Sequence, residues 1–258
     1  MQKIIKHSNK FDHSIIFVHG FPLDHKMWKY QINNLVENYN CISYDIRGLG
    51  ESSARDGQFT LEDLVDDLFN VVSETCTDKP VICGLSMGGY ICLRAFEREE
   101  NKFSGLILCD TKSEADSNQV KLGRAVSIRQ INNEGVSVFA GEFVPGCFTP
   151  SSFKTIEEDY LEILERSKLS DSKGVKGCLL AMAGRTDTTG YLDKIKIPVL
   201  VLCGEDDSKT PPAVMKAMAK KIYNKEFHII KDAGHLSPVE NPGEVNKYIE
   251  GFLKKVFG

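Results

Sequence analysis

Ser86 lies at the centre of Gly84-Leu85-Ser86-Met87-Gly88, a Gly-x-Ser-x-Gly string that can turn a serine into a nucleophile. The apolar run Val81-Ile82-Cys83 precedes it, and a helix-like segment from Ile91 to Phe96 follows. A strand turning sharply into a helix lifts the central side chain onto the crest of a strained turn. Glycine on either side removes the Cβ atoms that would block the turn, and Gly89 lets the following helix pack closely on the sheet. The same five-residue string also arises by chance in loops. The strand before and the helix after mark this one as a nucleophile elbow.

A serine hydroxyl attacks only when an imidazole removes its proton and an acid fixes the imidazole's tautomer. Of the six histidines, only His235 fits, on the loop Asp232-Ala233-Gly234-His235-Leu236-Ser237-Pro238 after the last strand-like run, Glu226 to Ile230. His228 lies inside that run and reads as sheet packing. The acid is expected between serine and histidine in chain order, at a strand end. There Gly204-Glu205-Asp206-Asp207 offers three carboxylates, of which Asp207 is favoured and Asp206 second. Glu205 would have to fold its longer side chain back, and Asp110, at the end of an earlier strand, is a third alternative.

A tetrahedral intermediate needs donors for its oxyanion, each contributing about 3 kcal/mol. The backbone N–H of Met87, at the start of the elbow helix, is one candidate, and the helix dipole favours negative charge there. The N–H of Phe21, in His19-Gly20-Phe21-Pro22, is the second, with His19 holding that loop by hydrogen bonds. Asp45 and Arg47 suit a turn held by charge-assisted hydrogen bonds better than a substrate contact. No metal-ligand cluster is visible, and this chemistry requires neither metal nor organic cofactor.

These groups need a scaffold that brings distant strand ends together. Ile15-Ile16-Phe17-Val18 and Val199-Leu200-Val201-Leu202 are continuous apolar runs, as strands buried on both faces should be. Further strands are expected around residues 2–7, at Cys41 to Tyr44, before Ser86, and at Gly105 to Cys109. Thr60, with Asp63 three residues on, opens a helix whose apolar face is Leu61, Leu64, Val65, Leu68, Val72 and Cys76. Met27 to Val36 reads as a short helix, Thr210-Pro211-Pro212 as an N-cap with proline in the first turn, and Asn241-Pro242 as the start of the last helix. Strands alternating with helices imply a mostly parallel sheet of about seven strands with crossover helices.

Between Thr111 and Lys194 the strand runs disappear and helical patterns such as Ile156, Tyr160, Ile163 and Leu164 take over. The expected organisation is an α/β core from 1–110 and 195–258, with 111–194 inserted after a strand end as a helical lid over the site. Trp28, Phe143, Met182 and Leu236 are candidates for lining a substrate pocket. Phe139, Val144, Phe148 and Leu180 of the block could face the pocket too, but they, Phe143 and Met182 read more readily as core. If some of these residues line the site, the substrate is small to medium and partly apolar.

The totals agree with a globular enzyme of 258 residues, 41% apolar and 26% charged. A net charge of −4 without a dense basic block argues against nucleic acid as a partner. Residues Met1 to His7 carry no apolar leader, and no run approaches the ~20 residues that cross a membrane. The eight cysteines show no Cys-x-x-Cys spacing, and Cys41, Cys83, Cys109 and Cys203 sit in or beside strand runs as small hydrophobes. A reducing, cytoplasmic setting is expected.

Five separated strings, His19-Gly20-Phe21-Pro22, Asp45 to Ser52, Gly84 to Gly89, Gly204 to Asp207 and Gly234-His235, together resemble the α/β-hydrolase fold superfamily over nearly the whole chain. The resemblance implies an acid at the fourth position of Gly204-Glu205-Asp206-Asp207 and a lid where the helical block stands. Within the superfamily the chain is similar to 3-oxoadipate enol-lactonase-like hydrolases and small carboxylesterases. Its N-terminus is short, with room for one strand before the Ser14 to Val18 run that leads into the His19 loop. The implied activity is hydrolysis of a small to medium ester, thioester or lactone through an acyl-enzyme. The serine disfavours relatives that use an aspartate nucleophile. Carbon–carbon bond hydrolases, perhydrolases and a slow-turnover ligand sensor on the same fold are the rival readings.

Overall fold

The computed structural model describes residues 2–258; Met1, first of the residues read for a leader, lies outside the described residues. Seven strands form one sheet: β1 (Ile4–Lys6), β2 (Ser14–Val18), β3 (Asn40–Tyr44), β4 (Val81–Leu85), β5 (Gly105–Cys109), β6 (Val199–Gly204) and β7 (Lys225–Ile230). Their order across the sheet is β1-β3-β2-β4-β5-β6-β7. Only β1 runs antiparallel, against β3; the other pairings are parallel. The interior strands β2, β4, β5 and β6 are buried at every residue, which is why they read as unbroken apolar runs.

Helices connect the strands: α1 (Lys29–Leu35), α2 (Leu61–Thr75) and α3 (Met87–Glu99) in the first half. Between β5 and β6 the chain forms α4 (Asn118–Glu134), α5 (Val136–Phe143), α6 (Ser152–Thr155), α7 (Glu157–Lys168) and α8 (Ser172–Ala183). It then continues with α9 (Pro212–Lys220), α10 (Ser237–Glu240) and α11 (Pro242–Phe257). Successive side chains of a strand point to opposite faces, so each strand feeds two cores. Ile16 and Val18 pack with residues of α2, α3 and α8 on one face, while Ile15 and Phe17 pack with α1 and α11 on the other.

Local signals start these helices where the sequence places them. The Thr60 side chain accepts from the Asp63 amide, and Asp63 returns a bond to the Thr60 amide, a complete capping box. Asn241 caps α11 by accepting from the Glu244 amide. Val71 joins the predicted inner face of α2, on which Val72 and Cys76 are partly buried against the core. Two details differ from the sequence reading. His25–Trp28 forms a 3-10 turn ahead of α1. The cap of α9 falls on Pro211, because the Thr210 hydroxyl is turned inward to an acidic partner.

The order of the strands places the chemistry. After β2 the chain moves outward to β3, then returns past β2 to β4, so the connections diverge between β2 and β4. At such a switch point the loops leave a crevice beyond the carboxyl ends of the strands, where open α/β sheets bind ligands. The loop after β2 carries Phe21 and the turn after β4 carries Ser86, one on each side of that crevice. Helix α3 can approach β2 only because residue 88 is glycine. A Cβ there would fall on the carbonyl oxygen of Val18 and 2.7 Å from that of His19. Gly88→Ala is therefore expected to lower the unfolding free energy by about 1–3 kcal/mol through overpacking. Urea unfolding measures this, and an unchanged midpoint would show that α3 can retreat at no cost.

Candidate active site

Ser86 occupies a left-handed backbone conformation, φ 51° and ψ −112°, between the last residue of β4 and the first of α3. A serine rarely adopts such a conformation, and it persists only where its surroundings enforce it. Here the Ser86 amide donates to the Cys109 carbonyl of the neighbouring strand at 3.0 Å. The Ser86 carbonyl accepts the Thr111 hydroxyl at 2.7 Å and the Tyr90 amide at 3.2 Å. These bonds hold the side chain above the sheet edge.

The structure brings Ser86, His235 and Asp207 together from the ends of β4, β7 and β6. His235 Nε2 is 2.9 Å from Ser86 Oγ, and its Nδ1 faces both oxygens of Asp207 at 2.9 and 3.0 Å. With a carboxylate at Nδ1, the proton sits on Nδ1 and the lone pair of Nε2 faces the serine. Asp207 is buried and also accepts the amides of Lys209 and Thr210 and the Thr210 hydroxyl, the last at 2.5 Å. Burial pushes its pKa upward, but the hydrogen bonds and charge interaction with His235 and the Thr210 bonds outweigh it and hold the carboxyl below its ordinary value.

Asp110 and Asp206, the alternative acids, are placed otherwise. Asp206 is exposed and its amide donates to the Ala233 carbonyl. Asp110 is wholly buried, and its carboxyl meets the Gly204 amide at 2.7 Å and the Ser237 amide and hydroxyl at 3.3 and 2.5 Å. It thus ties the turn carrying Asp207 to the turn carrying His235. Burial first, and the nearby Asp207 charge second, drive its pKa well above the ordinary value, against the hydrogen bonds it accepts from Ser237 and Gly204.

Phe21 lies in the loop after β2 and Met87 opens α3. Among the described residues neither backbone N–H donates to a protein acceptor. His19, fully buried, braces the Phe21 loop from behind. Its Nδ1–H donates to the Gly20 carbonyl at 2.8 Å and its Nε2 accepts the Ile46 amide at 2.9 Å. Those two bonds require the neutral ring, and burial, the dominant cause, pulls its pKa down to about 4. Asp45 accepts His25 through both its amide and its ring nitrogen, and the Glu51 amide. Although burial opposes it, these bonds bring the Asp45 carboxyl to about 2. Arg47 forks onto Asp67 of α2 at 2.7 and 2.8 Å. Both residues are thereby occupied in holding the loop.

The pocket candidates divide. Phe143 of α5 sets its ring against Phe21, 5.5 Å between centroids and edge-on, and Lys209 stands 4.9 Å over its other side. Met182 is buried in the same apolar cluster as Phe21 and Met87. Leu236 is buried in the core of the opposite face. Trp28 is fully buried in that same cluster with its ring 5.2 Å from that of Phe17. His228 stacks on Tyr248 at 3.8 Å, in keeping with a sheet-packing role. A cavity of ≈ 200 Å³ lies elsewhere, between the Pro22–Met27 loop, Asp45–Glu51 and α7, and none of Ser86, Asp207 or His235 lines it. The chemistry is assigned to Ser86 rather than to this cavity because only there do a nucleophile, a base and an acid meet at hydrogen-bond distance.

Two clusters place three possible metal-ligand atoms within 4.8 Å of one another, Asp24-His25-Asp45 and Asp110-Cys203-Asp207. Their carboxylates are already engaged by the bonds described above and, for Asp24, by Lys26 and Arg166. Two contributors escaped the sequence reading. Thr210 was read as a helix cap, and Glu240, which accepts the amides of Gly234 and Leu236, stands five residues beyond His235 with no local pattern to mark it.

Comparison with known proteins agrees with this geometry. A family model described as alpha/beta hydrolase fold matches residues 13–242. The chain belongs to that family and is an α/β-hydrolase-fold enzyme. It is similar to a thermophilic esterase from Thermogutta terrifontis, solved with malate bound, at 36% identity and TM-score 0.95, covering 100% of this chain and 94% of that one. It is 28% identical to 3-oxoadipate enol-lactonase 2 of Acinetobacter baylyi, over 94% of this chain and 89% of the relative. The enol-lactonase of Burkholderia xenovorans LB400 superposes with TM-score 0.88 at 26% identity, covering 98% and 96% of the two chains. Among the described residues no helix is long and apolar enough to cross a membrane.

The two buried acids have opposite effects on stability. Asp110, with its raised pKa, holds a proton in the folded chain that the unfolded chain loses above about pH 4. Stability therefore falls as pH rises from there toward the raised value. Asp207, with its lowered pKa, contributes stability present above about pH 4 and lost as pH falls through the lowered value. In thermal melts from about pH 4.5 to 8, Asp110→Asn should gain on the parent steadily as pH rises. A difference constant across that range would mean that Asp110 is already ionised in the fold.

Proposed function

We propose that Ser86, His235 and Asp207 form a catalytic triad that hydrolyses a small to medium ester, thioester or lactone. The observation that carries this is the 2.9 Å approach of Ser86 Oγ to the His235 nitrogen opposite Asp207. Ser86 Oγ attacks the carbonyl carbon while His235 Nε2 takes its proton. Negative charge collects on the former carbonyl oxygen, and the Phe21 and Met87 amides are the donors assigned to it. Asp207 keeps the ring in the Nδ1–H tautomer and stabilises the imidazolium. His235 then passes the proton to the leaving oxygen or sulfur, leaving an acyl group on Ser86. Water, deprotonated by the same nitrogen, releases the acid and restores the serine. Water is the one co-reactant, and no metal or cofactor enters any step.

The esterase and enol-lactonase relatives support the reaction class, since both act on acyl–oxygen bonds. We read residues 111–194 as a lid on the core formed by 1–110 and 195–258. Phe143, against Phe21, is the lid side chain best placed to bound the acyl or leaving group. The eight free thiols, seven of them buried, suit the reducing interior of a cell.

Ser86→Ala should lower kcat for p-nitrophenyl butyrate by about 10⁴–10⁶-fold, and Asp207→Asn by about 10⁴-fold with KM little changed. Turnover by the Ser86→Ala protein at the parent rate would refute the assignment. Rapid labelling of Ser86 by a fluorophosphonate without turnover of a broad ester and lactone panel would favour a ligand sensor instead.

A further inference from the structure

The loop that carries His235 is held by Glu240 of α10 and by Cys147 of the helical block, through contacts that the triad does not require. The amides of three successive residues take part. Gly234 and Leu236 donate to the same oxygen of Glu240, at 2.9 and 3.2 Å, and His235 itself donates to the Cys147 carbonyl at 3.0 Å. The second oxygen of Glu240 accepts the Thr149 amide at 2.8 Å and the Ser152 hydroxyl at 2.7 Å. One carboxylate thus accepts four hydrogen bonds, two from the loop of the base and two from the segment joining α5 to α6. A Cβ on Gly234 would stand 3.2 Å from both Glu240 Oε1 and the Thr149 amide, so the two segments interlock with no room to spare.

We propose that Glu240 is a positioning residue for the hydrolytic reaction, setting His235 over Ser86 only while residues 147–152 of the helical block are seated against it. The proposal rests on His235 being the general base. The backbone from 234 to 236 has no helix or strand of its own to hold it, and its amides are satisfied by Glu240 and Cys147 alone. The side chain of His235 is oriented at Nδ1 by Asp207, but the height of its Cα above the serine is set by this clamp. A substrate that displaces the block would withdraw the base. One that leaves residues 147–152 in place meets a base already aligned.

Replacing Glu240 by Gln substitutes an NH2 for one acceptor, which then faces two donors. Glu240→Gln should lower kcat for p-nitrophenyl butyrate by about 10- to 100-fold, the scale of a misplaced catalytic group, with KM within about twofold. The downfield proton resonance of His235 Nδ1–H should broaden or shift, a signature that a purely structural residue would not move. Ser152→Ala, which removes one of the four bonds to Glu240 together with the hydroxyl bond between Ser152 and Thr149, should lower kcat in the same direction by a smaller factor and carries the test if Glu240→Gln does not fold. Parent kcat and an unchanged resonance in a folded Glu240→Gln protein overturn the proposal, as does a loss confined to KM. Parent-level turnover by His235→Ala would instead overturn the triad reading itself.

Discussion

The backbone of Ser86 is the constraint on which the rest of the site depends. A left-handed serine costs on the order of 1–3 kcal/mol, and it survives only where the fold over-determines it. The parallel strand β5 holds its amide through Cys109, Thr111 holds its carbonyl, and Gly88 lets α3 descend onto β2. The first two come from the end of β5 and the third from the seat of α3 on β2, so the strain is stored by the tertiary structure rather than by the turn. Once Ser86 is fixed there, every other group has one place to go. The amide of Met87 points out at the start of α3, and the crevice beside β2 receives the Phe21 loop.

The second constraint is electrostatic. Asp110 and Asp207 bring ligand-type oxygens within 4.8 Å of each other in the interior. Two ionised carboxylates at that separation repel by roughly 3 kcal/mol at an effective dielectric of 20. The structure resolves this by dividing the donors unequally. Asp207 receives the His235 ring, two amides and the Thr210 hydroxyl, whereas Asp110 faces two amides and one hydroxyl with no cation nearby. The pKa of Asp207, which faces the His235 ring, is thereby held below its ordinary value, and that of Asp110, which joins two turns, is raised above it. The same residue type serves both purposes because the environments, not the side chains, differ.

Much of this was legible in the residues. The Gly-x-Ser-x-Gly elbow, the unbroken runs of β2 and β6 and the capping box at Thr60 are local features, and their physics acts within a few residues. Asp207 and His235 were legible for a related reason: each follows directly on a strand, and strand ends line up in a parallel sheet. Thr210 shows where this reasoning stops. Its sequence context, Thr-Pro-Pro, is that of a helix cap, yet a buried carboxylate three residues upstream attracts the hydroxyl more strongly than the exposed helix amides do.

The helical block between β5 and β6 was the least readable part, and its packing explains why. In α4 only Ile131 is fully buried, while Val120, Leu122 and Val126 are exposed, so its apolar residues do not describe the face it docks. Polar side chains supply much of the attachment instead. Arg185, almost wholly buried, stacks over Tyr90 of α3 at 4.1 Å and is fixed from within the block by Asp116 and the Glu114 carbonyl. On the other flank Arg166 meets Asp24, and Tyr30 donates to Asp159 at 2.6 Å. Such pairs join residues from 69 to 142 positions apart, and hydrophobic periodicity carries no information about them. Partners of this kind also exchange more readily with water than an apolar seam does, because each retains a charged or hydroxyl group that water can satisfy. The block is thus seated by these polar pairs together with apolar residues such as Phe139, Phe148, Val175 and Leu179, which reach the two cores of a sheet buried on both faces.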